Sequence, residues 1–79
     1  MLDEDLFDYV SERANVTRAT LDADTPLFSD GLLDSMAVLE VTAFIEQRSG
    51  VRFAVSDINL DNLDSIGRML GFVNSKCVG

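Results

Sequence analysis

Residues 30–50, "DGLLDSMAVLEVTAFIEQRSG", decide the fold. The stretch opens on a turn pair, Asp30-Gly31, and closes on Gly50, a good stop for a helix. Residues 32–49 between them contain neither proline nor glycine, and 35–49 reads as one helix. That helix has more apolar surface than a single buried face needs. At about 100° per residue, Val38, Val41 and Ile45 make one stripe with Phe44 on its flank. Met36, Leu39 and Ala43 make a second stripe on roughly the opposite side, with Glu40 and Gln47 within it and Glu46 beside it. A helix on the outside of a small bundle buries one face. The second face is either buried too, in a central helix, or it is an exposed strip edged with acids where another protein docks. The interspersed Glu40, Gln47 and Glu46 favour docking.

Upstream, Leu2, Leu6, Val10 and Ala14 recur every fourth residue with Phe7 beside them, which predicts a first helix over roughly 2–15. Asp3, Glu4 and Asp5 fall in its first turn and Arg13 near its end, as the helix dipole favours. Residues 16–34 form a long connection. Thr25-Pro26 disfavours helix there, yet Leu21, Leu27, Phe28, Leu32 and Leu33 are scattered through it. A loop with that many apolar anchors packs down, and long ordered loops are commonly functional. Downstream, a short helical segment is expected near 56–60. A last helix then starts at Asp64 or Ser65, with Ile66, Met69, Leu70 and Val73 at i, i+3, i+4 and i+7 and with Gly67 and Gly71 as weak points. No alternating run exceeds the few residues of "VRFAV" at 51–55. The fold class read from the sequence is all-α: a small four-helix bundle with a long loop between helices 1 and 2 and a short third helix, one domain over residues 1–79.

Composition narrows the function. The 79 residues hold 14 Asp and Glu against six Lys and Arg, no histidine and one cysteine, with 47% hydrophobic residues. A chain this short buries only about 60% of its unfolded surface, but its apolar content suffices for a small core. Without histidine, neither a Ser-His-Asp set nor a His-ligated zinc site can form. Cys77 stands alone and reads as a tail thiol with no base to activate it. The net charge of −8 repels nucleic acid and anionic membranes and favours partners with basic surfaces. The start, "MLDEDLFDYV", lacks the basic end and apolar run of a signal peptide, and no stretch is long and apolar enough to span a bilayer. A soluble cytoplasmic protein is expected.

The tripeptide Leu-Asp-Ser occurs twice, at 33–35 and 63–65, each time before a helix. Either serine could serve as an N-cap, with Asp34 and Asp64 competing for that role. Neither is followed three residues on by Glu or Gln, so neither makes a full capping box. The surroundings differ, since Ser35 follows an anchored loop and opens the two-faced helix. A phosphate ester on a serine there would sit beside the positive end of the helix dipole. Around the second copy, "DINLDNLDSIGR" (57–68) partly matches a calcium loop through Asp57, Asn59, Asp61 and Ser65. Arg68 stands where the bidentate glutamate belongs, which argues against calcium.

Residues 30–50 resemble the phosphopantetheine attachment region of acyl and peptidyl carrier proteins, in which a loop ends in Asp-Ser-Leu or Asp-Ser-Met before an acidic, apolar helix. The order of helices extends the resemblance over nearly the whole chain. It implies a non-catalytic carrier. Ser35 would receive 4′-phosphopantetheine from coenzyme A through a phosphopantetheinyl transferase. A ligase would then load an acyl or aminoacyl group on the arm's thiol as a thioester for downstream acyl-transfer or synthase enzymes, at high effective concentration. Asp34, Met36, Leu39, Glu40, Ala43 and Glu46 match the family's recognition helix. Phe28 with "GLLDSM" looks most like free-standing carriers: D-alanyl carriers of teichoic acid modification, or discrete carriers of polyketide and nonribosomal peptide pathways. "DINLDNLDSIGRML" (57–70) resembles the latter and lacks the tryptophan usual in D-alanyl carriers. Fatty-acid carriers usually have Asp-Ser-Leu and a more acidic motif helix. The competing expectation is an unmodified helical interaction module using the same strip.

Overall fold

The structure is a computed structural model that describes residues 2–77, Cys77 by its backbone alone. The expectation for the Cys77 thiol lies outside the described residues. Four helices follow one another: α1 (Leu2–Ala14), α2 (Ser35–Ser49), α3 (Leu60–Leu63) and α4 (Ile66–Cys77). Single turns of 3-10 helix sit in the connections at Arg18–Thr20 and Val55–Asp57. There is no strand among the described residues, so the all-α bundle with a short third helix read from the sequence is the fold.

Local chemistry sets the ends of the helices. α1 stops one residue before the sequence boundary because Asn15 turns left-handed (φ 59°). The amide of Asn15 then donates to Glu12 O and that of Val16 to Ser11 O, which satisfies two terminal carbonyls. This is the doubled closing pattern that usually has glycine, and sometimes asparagine, at its left-handed residue. α2 ends at Gly50, whose φ of 78° suits a residue without Cβ and whose amide donates to Glu46 O. Asn59 opens α3 by accepting the Asn62 amide at 3.0 Å.

The core is shared by all four helices and the long connection. Leu6 and Val10 of α1, Ala37, Val41 and Ile45 of α2, and Ile66 and Met69 of α4 are wholly buried. Leu27 of the connection is wholly buried with them, and Leu21 and Leu33 nearly so, so three of the five loop anchors read from the sequence are core residues, while Phe28 and Leu32 are half-buried against it. Burying each of these Leu, Val, Ile and Met side chains contributes about 1.5–3 kcal/mol.

The connection is also tied by hydrogen bonds. Leu27 N donates to Asp64 O at 2.7 Å, and Leu33 N donates back to Leu27 O. Farther up, Gly67 N donates to Ala23 O at 2.8 Å. A Cβ at residue 67 would lie 3.0 Å from that same oxygen. Gly67 is therefore the place where the loop backbone presses against α4.

Candidate functional site

α2 begins where it does because of Asp34. That residue is extended (φ −91°, ψ 176°) and its Oδ1 accepts the Ala37 amide at 3.0 Å. The carboxylate brings a full negative charge to the positive end of the helix and outcompetes a hydroxyl for the cap. Ser35 is thereby displaced from the capping role allowed to it by sequence and becomes the first helical residue. It is exposed, and its hydroxyl has no hydrogen bond among the described residues. At the second Leu-Asp-Ser the roles are reversed. Ser65 is 6% exposed and its Oγ accepts the Arg68 amide at 3.1 Å, capping α4.

Asp64 is drawn away from that cap by the long connection. Its Oδ1 accepts the amides of Phe28 and Ser29 at 2.9 Å each, and its Oδ2 accepts the Ser29 hydroxyl at 2.7 Å. The Ser29 amide above all, helped by its hydroxyl and the Phe28 and Leu27 amides, holds the carboxyl below the usual range against the opposing effect of burial. Through this clamp, α3's end fixes the segment that runs into Ser35.

The second apolar stripe of α2 faces solvent. Met36 is 66% exposed and Leu39 62%, and Ala43 and Gln47 are exposed as well. The opposite stripe is in the core, with Val38 and Phe44 half-buried at its margins. Of the two readings open for the second face, the buried central helix is excluded.

The acids around the strip are held by the protein itself. Arg13 of α1 hydrogen-bonds Glu40 through Nε, and its other end lies 3.7 Å from Asp34 Oδ1. The bond to Glu40 and the charge behind it keep the Arg13 guanidinium still more firmly protonated. Glu46 is half-buried and its Oε2 accepts the Phe53 amide at 2.8 Å. Beside Arg13, Tyr9 stacks on Phe44 with ring centroids 4.3 Å apart. Burial first, then the Glu40 carboxylate, push the Tyr9 phenol up.

On α2's other flank an apolar cleft of about 210 Å³ is lined by Phe28, Val38, Ile58, Asn59, Leu60 and Leu63. Val38 is one turn along the helix from Ser35.

The partial calcium pattern dissolves into caps. Asp57 accepts the Ala54 amide, Asn59 caps α3, Asn62 Nδ2 donates to the Asp57 carbonyl, and Arg68 donates to the Asp61 carbonyl. These side chains turn to their own backbone rather than converging on a point.

A family model described as "Phosphopantetheine attachment site" matches residues 3–73. The chain belongs to this phosphopantetheine-binding family. It is a phosphopantetheine carrier, and such carriers hold 4′-phosphopantetheine covalently. The described residues fit that group. Ser35 offers an exposed, uncommitted hydroxyl for a phosphodiester. The amides of Ser35 and Met36, in the first turn of α2, have no intrahelical acceptor, and the positive end of the helix favours an anion beside Ser35.

Among solved structures, a chain in one titled "Crystal structure of FAD-dependent dehydrogenase" is similar, with a TM-score of 0.74 and 25% identity over 86% of this carrier and 97% of that chain. The likeness is one of fold. No curated protein matches. No described helix is long and apolar enough to cross a membrane.

Two residues that shape the site were read differently in the sequence: Arg13 only as a dipole partner and Asp64 only as a competing cap. Each acts on a residue distant in sequence.

Proposed function

We propose that Ser35 is the residue to which a phosphopantetheinyl transferase attaches the arm, and that the carrier presents an acyl or aminoacyl thioester on it to partner enzymes. The observation that carries this is the contrast between the two serines. Ser35 is exposed and bonded to nothing among the described residues, because Asp34 caps in its place. Ser65 is buried and its oxygen is engaged as a cap. A transferase needs a hydroxyl it can reach, and an ester on Ser35 disturbs no structural bond. The exposed face running from Ser35 through Met36, Leu39 and Ala43, with Asp34, Glu40 and Glu46 at its edges, is the surface a partner meets on approach. The acyl-bearing chemistry lies with the partners, and the carrier is a single cytoplasmic, monomeric unit.

The cargo class we infer is that of polyketide or nonribosomal peptide biosynthesis, on the likeness of residues 57–70 to discrete carriers of those pathways. Peptide mapping tests the site. After incubation with coenzyme A and a broad-specificity transferase, trypsin separates Ser35, in the peptide 19–48, from Ser65, in the peptide 53–68. The arm is expected on the first peptide, within which fragmentation distinguishes Ser35 from Ser29. Modification of the second peptide would overturn the assignment. An unmodified interaction module would show no added mass on any peptide.

A further inference from the structure

Asp64 stands in the second Leu-Asp-Ser of the chain and does not do for its helix what Asp34 does in the first. Asp34 caps α2 through Ala37, whereas Asp64 leaves the cap of α4 to Ser65. Its carboxylate takes the amides of Phe28 and Ser29 and the Ser29 hydroxyl instead, and its carbonyl takes the Leu27 amide. Three consecutive residues of the long connection are thus tied to one residue at the end of α3.

The bonds continue toward Ser35. Gly31 N donates to Phe28 O at 3.1 Å and Leu33 N to Leu27 O at 3.0 Å, which closes residues 27–33 into a loop that starts on Asp64. Leu33 is 3% exposed, and Asp34 after it is fixed by its bond to Ala37. Ser35 follows directly. The junction between α3 and α4 grips the connection a second time where Gly67 N donates to Ala23 O.

Burial alone would already hold the connection down, since Leu21, Leu27 and Leu33 lie in the core. Apolar burial has no direction, whereas a hydrogen bond fixes distance and angle. What Asp64 adds is the orientation of the backbone at residues 27–29 and, through the closed loop, of the segment that enters α2.

We infer that Asp64 is a positioning residue for the modification of Ser35: by holding residues 27–33 in one conformation, it sets how the first turn of α2 presents the Ser35 hydroxyl to coenzyme A. This rests on the proposal that Ser35 is the modified residue. In the transfer, Ser35 Oγ bonds to the pyrophosphate phosphorus that carries the pantetheine. The bond from that phosphorus to the bridging oxygen breaks, adenosine 3′,5′-bisphosphate leaves with the electron pair, and the hydroxyl proton passes to a base of the transferase. Asp64 acts on alignment alone, where a displacement of about 1 Å can cost a hundredfold.

The test compares modification of the full-length apo carrier by coenzyme A and a broad-specificity transferase, followed by intact mass, in four variants. Asp64→Ala is expected to lower kcat about tenfold with KM within about twofold, because α2 beyond its first turn keeps its packing. Asp64→Asn retains an oxygen for the two amides and should return kcat to within about twofold of wild type. Ser65→Ala is the control for stability, since it weakens α4 without touching the connection, and its kcat should stay within about twofold of wild type. Hydrogen exchange of the amides of residues 27–33 should quicken in Asp64→Ala and not in Ser65→Ala. If Asp64→Ala does not fold, as circular dichroism would show, Ser29→Ala carries the test. It removes one donor and no core atom, and it should speed exchange at residues 27–29 and lower kcat about threefold. Faster exchange with an unchanged kcat would overturn the proposal, as would an equal loss in Ser65→Ala or a loss confined to KM. Failure of the underlying reading is distinct, because then wild type gains no mass or Ser35→Ala still does.

Discussion

Asp64 gathers three donors of the long connection onto one carboxylate, and its own carbonyl takes a fourth. Replacing it with asparagine keeps the shape and loses the charge. About 1 kcal/mol of stability should go with it, the low end for charge-assisted bonds because the group is half-exposed. The bonds lower its pKa in the folded state. Its contribution is therefore present in full above the unfolded carboxyl value of about 3.9, and is lost as pH falls through the lower folded value. Urea unfolding of wild type and Asp64→Asn should differ at pH 7, and the difference should shrink as pH falls below the unfolded carboxyl value of about 3.9. The serines form a second residue-scale test. Ser65→Ala removes the cap of α4 and should cost about 1 kcal/mol. Ser35→Ala removes a hydroxyl that caps nothing and should unfold at the same urea concentration as wild type. Equal losses would mean that Ser35 caps α2 after all.

At the scale of elements, the two glycines of α4 separate helix propensity from packing. Gly71 is exposed and a Cβ there meets nothing within 4 Å, so Gly71→Ala should stabilise the protein by about 0.5–1 kcal/mol. At Gly67 the new Cβ would press on Ala23 O and strain the amide bond between the same two residues. Gly67→Ala should therefore be less stable than wild type despite the same gain in propensity, as thermal unfolding would show. Sequence alone marks both as weak points and cannot tell them apart, since the loop that meets Gly67 lies 44 positions upstream. Periodicity suffices for α1, α2 and α4 because each has an apolar stripe at helical spacing. The boundary at Asn15 and the exchange of capping roles at Asp34 and Ser35 were not legible. They depend on one left-handed residue and on which of two adjacent oxygens turns to the helix end. The outward face of α2 was legible as an excess of apolar residues, but the partners that occupy its acids, Arg13 and the Phe53 amide, come from elements brought there by folding.

For the whole molecule, charge is the main lever. Eight more acids than bases act on a bundle whose described ion pairs are all exposed to some degree, as in Arg18 with Asp8 and Arg48 with Asp5. Exposed pairs contribute little each, while the surplus negative charge opposes compaction throughout. Salt screens both effects, and the repulsion outweighs the pairs, so Tm should rise by a few degrees between 50 and 500 mM NaCl. A fall would mean that the surface pairs hold the bundle together. The overall arrangement follows the same logic as the site: a packed core of four helices and a clamped loop, with Ser35 and the outer apolar strip of α2 left uncommitted at the surface. The most direct measurement of that claim is intact mass after incubation with coenzyme A and a phosphopantetheinyl transferase, on wild type, Ser35→Ala and Ser65→Ala side by side. Wild type and Ser65→Ala should each gain one phosphopantetheinyl group and Ser35→Ala none. No gain in wild type, or a gain that survives in Ser35→Ala, would contradict it.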